Sequence, residues 1–208
     1  MKFQLSAALM GLAFTAVSAQ DIQSGPFTLH IKGANPSSEI DGYVYSCHAG
    51  AGISGACYAE GAAPEGSNSF TYYFNYTGYN QVGEDQVGTL IWNQPYTDQD
   101  GNLELQSQSA GLVYQTNSNV AAPLFGFSQL SFLVGFDSQG ELFGYNYVDD
   151  SQFVAGQFPT SYEPTGYYQW AVCWQYFTGY YYQSLAWVTV GAPHNPTCEP
   201  VDVTKVDL

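Results

Sequence analysis

The chain has 208 residues, with 18 Asp+Glu against three Lys+Arg and a formal net charge of −15. Its only basic residues are Lys2, Lys32 and Lys205, too few to displace counterions from a phosphate backbone or to hold the chain on an anionic membrane, so nucleic acid and membrane surfaces are excluded as partners. Aromatic residues at 17% beside charged residues at 10% exclude a disordered chain and favour β-structure.

Lys2 is followed by an apolar run through Val17, then by the small residues Val17-Ser18-Ala19 and the polar pair Gln20-Asp21. That is the layout of a cleavable secretory signal over residues 1–19. The run is shorter than the roughly 20 residues that span a bilayer, and no carboxy-terminal hydrophobic tail suggests a lipid anchor. Cleavage after Ala19 leaves 208 − 19 = 189 residues, read as a single domain over 20–208 with a net charge of 2 − 18 = −16.

No window of this domain keeps a helical period. Short runs of apolar and aromatic residues separated by Gly, Pro, Asn, Asp and Ser predict an all-β fold. Phe27–Lys32 alternates, with Phe27, Leu29 and Ile31 on one face. Ile40–Tyr45 leads into a Gly/Ala-rich segment from Cys47 to Cys57, expected to be a flexible loop clamped by a disulfide. Strands follow at Ser69–Tyr76 and Val87–Asn93. Asp98-Gln99-Asp100-Gly101 reads as a turn: it resembles a calcium loop, but its glycine comes fourth instead of sixth and strands flank it. Leu103–Leu105, Leu112–Tyr114, Val120–Phe125 and Ser131–Phe136 continue the pattern. Asp137-Ser138-Gln139-Gly140 then turns into Glu141–Tyr145. Val148–Gly166 reads as a long surface loop, and Tyr167–Trp174, Tyr180–Val190 and Val201–Val206 close the chain. The predicted architecture is a single-domain antiparallel β-sandwich, jelly-roll-like, with two disulfides.

Cys47, Cys57, Cys173 and Cys198 are the four cysteines. In an exported chain they form two disulfides with three possible pairings. The local pairing Cys47–Cys57 and Cys173–Cys198 is favoured, with loops contributing about 2.7 and 3.5 kcal/mol in the chain-entropy treatment. Without a CxxC pair, and with three histidines in unrelated settings, no metal or other cofactor is expected. Asn75-Tyr76-Thr77 is an N-glycosylation site, whereas proline blocks the sites at Asn35 and Asn195.

Two constellations carry functional expectations. The hairpin around Thr178-Gly179 concentrates Trp174, Tyr176, Tyr180, Tyr181 and Tyr182. One of its faces is expected to be an exposed platform for stacking on sugar rings or contacting a protein. Alternation places Trp170 and Val172 on one side of this strand and Ala171 and Cys173 on the other. The second constellation is Glu104 and Glu141, which would serve an acid-active glycosidase if they converge on one cleft. No Gly-x-Ser-x-Gly elbow points to a serine hydrolase.

Several segments resemble uncharacterised secreted proteins of filamentous ascomycete fungi, a small Cys-containing extracellular group. They are the Cys47–Cys57 loop, Ser118–Phe125, Tyr168–Cys173, Ser184–Trp187 and His194–Cys198. The resemblance implies a small extracellular β-rich domain and brings no catalytic residues with it.

The leading expectation is a non-catalytic extracellular binding protein, monomeric, secreted or wall-associated. Its expected partner is cell-wall polysaccharide or an extracellular protein, met through exposed aromatics. The Glu104/Glu141 hydrolase and a structural wall or spore-coat component are the alternatives.

Overall fold

A computed structural model of the chain describes residues 21–126, 131–159 and 162–208; the expected export signal at 1–19 lies outside them. Thirteen strands dominate the described residues. The first four are β1 (Ile22–Gly33), β2 (Asp41–Gly50), β3 (Ile53–Glu60) and β4 (Tyr72–Val82). They are followed by β5 (Asp85–Thr97), β6 (Leu103–Val113), β7 (Val120–Phe125), β8 (Leu133–Phe136) and β9 (Leu142–Asn146). The last four are β10 (Thr165–Tyr167), β11 (Trp170–Phe177), β12 (Tyr180–Val188) and β13 (Glu199–Asp207).

The all-β expectation holds, but the sandwich does not. Nine strands close into a barrel, in the order β4-β1-β13-β11-β12-β3-β7-β6-β5 and back to β4. The physical reason is that β5 is paired along both edges. Tyr72–Tyr76 of β4 lie on one edge, and β6 takes the other from Ile91 to Thr97. A sandwich keeps open edges at this point, whereas closure removes them. Four strands lie off the ring. β2 bonds to both β1 and β3, and β8, β9 and β10 extend from the Val87–Thr89 stretch of β5.

Alternation decides which side chains enter the barrel. Phe27, Leu29 and Ile31 are wholly buried and share the main core with Tyr72, Phe125 and Trp187. Trp170 and Val172 join the same core, while Ala171 and Cys173 face a second, smaller cluster with Val120 and Val188. A third cluster gathers Ala49, Ala122, Leu124 and Phe177. With apolar groups packed on both sides, β7 is buried at all six residues. This is why Val120–Phe125 reads as an unbroken apolar run instead of an alternating one.

The segment from Cys47 to Cys57 is not the flexible loop expected from its composition. It is the tight β2–β3 hairpin, in register from Gly42↔Glu60 to His48↔Ser54, with a one-residue shift before Gly50↔Ile53 at its tip. Small residues are needed here because neighbours press on the backbone. A Cβ on Gly55 would stand 2.9 Å from the Phe177 ring and 3.1 Å from Cys47 Sγ, closer than side chains tolerate. Both disulfides form with the local pairing, Cys47–Cys57 and Cys173–Cys198.

The Asp98–Gly101 turn is built as its residues imply. Asp98 Oδ1 accepts from the backbone N–H groups of Asp100 (2.9 Å) and Asn102 (2.8 Å), and Oδ2 accepts from Asn102 Nδ2 at 3.1 Å. The carboxylate is thus engaged within its own turn. The expected loop at 148–166 contains a 3₁₀ turn at Asp150–Gln152 and the start of β10.

Candidate functional site

The β11–β12 hairpin turns on Thr178 and Gly179, both with positive φ (51° and 97°), as a two-residue hairpin turn of the primed type requires. That turn pairs Phe177↔Tyr180, Tyr176↔Tyr181, Gln175↔Tyr182 and Trp174↔Gln183. Directly opposed residues share a face of the sheet. The five aromatics expected to form one platform are therefore divided.

Trp174, Tyr176 and Tyr181 point outward, at 43%, 62% and 60% exposure. Trp174 and Tyr181 stack, with centroids 5.2 Å apart and planes at 27°. Tyr180 and Tyr182 lie on the opposite face and are half-buried. They stack on each other at 5.8 Å. Tyr180 meets the edge of His48 at 5.1 Å, and Tyr182 packs against Phe177. The parity of positions across a two-residue turn is the signal that separates these groups, and it is legible in the sequence.

The outward face is held from its free edge. Beyond Val172, β11 no longer pairs with β13. The segment before β13 takes over: Trp174 N–H donates to Thr197 Oγ1 (3.0 Å), and Asn195 Nδ2 donates to the Trp174 carbonyl (2.8 Å). The Cys173–Cys198 bond ties this segment to β11 at the residue before Trp174.

Glu104 and Glu141 do not converge. Glu104 pairs with Tyr96 near one end of β5. Glu141 follows β8, whose Gly135 pairs with Val87 at the other end, and it bridges to Thr204 of β13. From Val87 to Tyr96 is nine residues of strand, about 30 Å at 3.3 Å each, well beyond the separation of roughly 5 to 9.5 Å that glycoside hydrolysis uses. Glu141 belongs instead to a turn in which Asp137 Oδ1 accepts from the N–H groups of Gln139 and Glu141, both at 2.9 Å. Tyr168 O–H donates to Asp137 Oδ2 at 3.1 Å, and burial followed by Asp137 raises that phenol to about 12.

Burial, and after it Asp202 and Asp137, raise the Glu141 carboxyl above its ordinary 4.5. A raised carboxyl favours folding when neutral. Its contribution is complete below that ordinary value and is lost as pH climbs through the raised one. Asp98 is lowered, chiefly by its hydrogen bonds from Asn102; its contribution is present above 3.8 and lost as pH falls through the lowered value. Adding the self-repulsion of a strongly acidic chain, thermal stability is expected to peak at mildly acidic pH. Melting temperatures from pH 4 to pH 8 check this, and Glu141→Gln should flatten the decline. A steady rise across that range would overturn it.

Asn75 is half-buried on β4, where its Oδ1 accepts from Gln23 Nε2 of β1 at 2.8 Å. His30 Nε2 lies 2.7 Å from Asp41 Oδ1, and His194 lies in the segment leading to Cys198. Among the described residues, no group of three or more His, Cys, Asp or Glu is placed to hold a metal ion, and no helix is long and apolar enough to cross a membrane.

Sequence reasoning missed a cleft of about 510 Å³ on another flank. It opens where the end of β12 faces β9, β10 and the 148–151 segment. Trp187 and Phe132 form its floor, with centroids 5.0 Å apart. Gly144 of β9 lies so close that a Cβ there would meet Trp187 at 2.5 Å and Phe132 at 2.6 Å. Tyr145, Tyr167 and Tyr114 line it, and Asp149 and Asp150 are on its rim. Asp149 caps the 3₁₀ turn by accepting from Ser151 N–H at 2.9 Å. The acidic pair was visible in the sequence; the rings lining the same cleft come from five separate strands and loops, which no local pattern joins.

The architecture defines the class first: a small all-β barrel clamped by two disulfides, with its aromatic residues shared between core, outer face and cleft. The family model described as a domain of unknown function (DUF7907) matches residues 24–207, and the chain belongs to that family. No curated protein and no solved structure matches the chain.

Proposed function

We propose that the protein is exported and acts as a non-catalytic binding protein, docking on cell-wall polysaccharide through the outward face of the β11–β12 hairpin. The observation that carries this reading is the exposed, stacked Trp174–Tyr181 pair with Tyr176 beside it, on strands braced by a disulfide and by Asn195 and Thr197. Flat rings held open to solvent are suited to the apolar faces of pyranose units. A rigid backbone beneath them avoids an ordering cost on binding. Export is supported by the signal-like segment at 1–19 and by the two disulfides, which persist in oxidising compartments. A fungal wall is the polysaccharide source in keeping with the sequence resemblance.

The test is depletion of the protein from solution by insoluble chitin, β-glucan and cellulose at pH 5, with released sugar assayed in parallel. Binding without release is expected. At about 1 kcal/mol per ring, W174A/Y176A/Y181A should weaken binding roughly a hundredfold. Y180A/Y182A, on the inner face, should leave it nearly unchanged. Undiminished binding by the triple variant, or no binding to any polysaccharide, would remove this reading; sugar release would show catalysis in its place.

A further inference from the structure

The cleft above Trp187 stands apart from the proposed docking face and differs from it in charge. Its floor and walls are aromatic, its rim is acidic, and no lysine lines it. Of the two lysines in the described residues, Lys205 stands 3.3 Å from Asp207 and lies over the Phe27 and Phe136 rings, on another part of the barrel, and Lys32 is on β1. Asp149 and Asp150 are exposed at the cleft, and among the described residues no lysine lines it to neutralise them.

Aromatic faces carry negative charge density and attract cations, more strongly where water is partly excluded. A rim of carboxylates adds a direct ionic partner, and a strongly acidic chain raises the local concentration of cations around it. Neutral sugars would gain from the rings but nothing from the net charge of the rim. A volume of about 510 Å³ lies within the range of small-molecule sites and suits a ligand of one or two rings.

We propose that this cleft binds a sugar-sized organic cation, an amino sugar carrying a protonated primary amine, with the ring on the partly exposed Tyr145 and Tyr167 and the ammonium on Asp149 and Asp150. Asp149 is held in its charged form by the hydrogen bonds from Ser151, so the rim keeps negative charge at the mildly acidic pH where amines are fully protonated. The partially exposed neighbours Asn146, Gln169 and Thr189 supply donors and acceptors for hydroxyl groups.

The experiment is a fluorescence titration of the whole protein at pH 5.5, with a glucosamine tetramer and its fully N-acetylated, uncharged counterpart as probes. Trp187 in the floor provides a reporter. The charged tetramer is expected to bind at least about tenfold more tightly than the neutral one, with affinity falling as salt is raised. D149N/D150N should weaken the charged tetramer about tenfold and leave the neutral one unaffected. Asparagine can still accept from Ser151 N–H, so the turn should survive, and the melting temperature confirms that the fold is intact. Y145A, which removes one wall, should weaken both probes. W174A/Y176A/Y181A should bind the charged tetramer as the native protein does, which keeps failure of the docking face distinguishable from failure of the cleft. Equal affinity for the two tetramers, no binding of either, or insensitivity to D149N/D150N would overturn the proposal.

Discussion

Phe125→Ala is expected to destabilise the protein by about 4 kcal/mol, in the range for deleting a buried ring. Phe125 is fully buried at the end of β7, paired to Ala110 of β6 and to Ser54 of β3. It stacks on Tyr72 at 5.7 Å and meets Trp92 at 6.2 Å. Tyr72 is itself fixed, its hydroxyl 3.2 Å from Ser46 Oγ on β2. The ring thus joins β7, β4 and β5 across the interior at the place where the barrel closes. Removing it leaves a cavity that closed strands on every side prevent from collapsing. Denaturant unfolding of native and variant protein measures the loss. A change below about 1 kcal/mol, the size expected at a site free to relax, would show that this end of the barrel is not packed around Phe125. Phe125→Leu should cost clearly less, since most of the volume is kept.

Removing the Cys173–Cys198 bond as C173A/C198A is expected to cost about 3.5 kcal/mol, against about 2.7 for C47A/C57A. The difference follows from loop length, since the bonds close separations of 25 and 10 residues. Structure adds to it. Cys47 and Cys57 lie on strands that are also paired through their backbones from Gly42↔Glu60 to Gly50↔Ile53. Cys198 anchors a segment whose other ties to β11 are the side chains of Asn195 and Thr197 at Trp174. Unfolding midpoints of the two double variants should fall in that order, and the reverse order would contradict the account. C173A/C198A should also loosen Trp174, seen as weaker polysaccharide depletion, while C47A/C57A should not. Alanine suits Cys173, which is wholly buried beside Ala171, Ala186 and Val188.

The all-β class, the two local disulfides, the Asp98 turn and the opposite faces of Trp170 and Ala171 were all legible in the sequence. Each depends on residues close along the chain: a two-residue period, a short loop between cysteines, an Asp hydrogen-bonding to its own turn. The division of the aromatic hairpin was legible too, because the Thr178-Gly179 turn sets its register and places Tyr180 and Tyr182 opposite Phe177 and Gln175.

What only the tertiary structure decided involves partners far apart in sequence. Alternation says which residues share a face, but it is the same in a sandwich and in a barrel; the long-range pairing of β3 with β7 and of β5 with both β4 and β6 made the ring. Closure then buried Ser54–Cys57 of the Cys47–Cys57 hairpin, whose glycines and alanines are the residues of a flexible loop and equally those of a strand pressed by Phe177. It also set Glu104 and Glu141 at opposite ends of β5 and brought Trp187, Phe132 and Tyr145 beneath Asp149 and Asp150. Local sequence specifies the period of a strand and the geometry of a turn; which strand ends meet across the barrel is set by the packing of the whole chain.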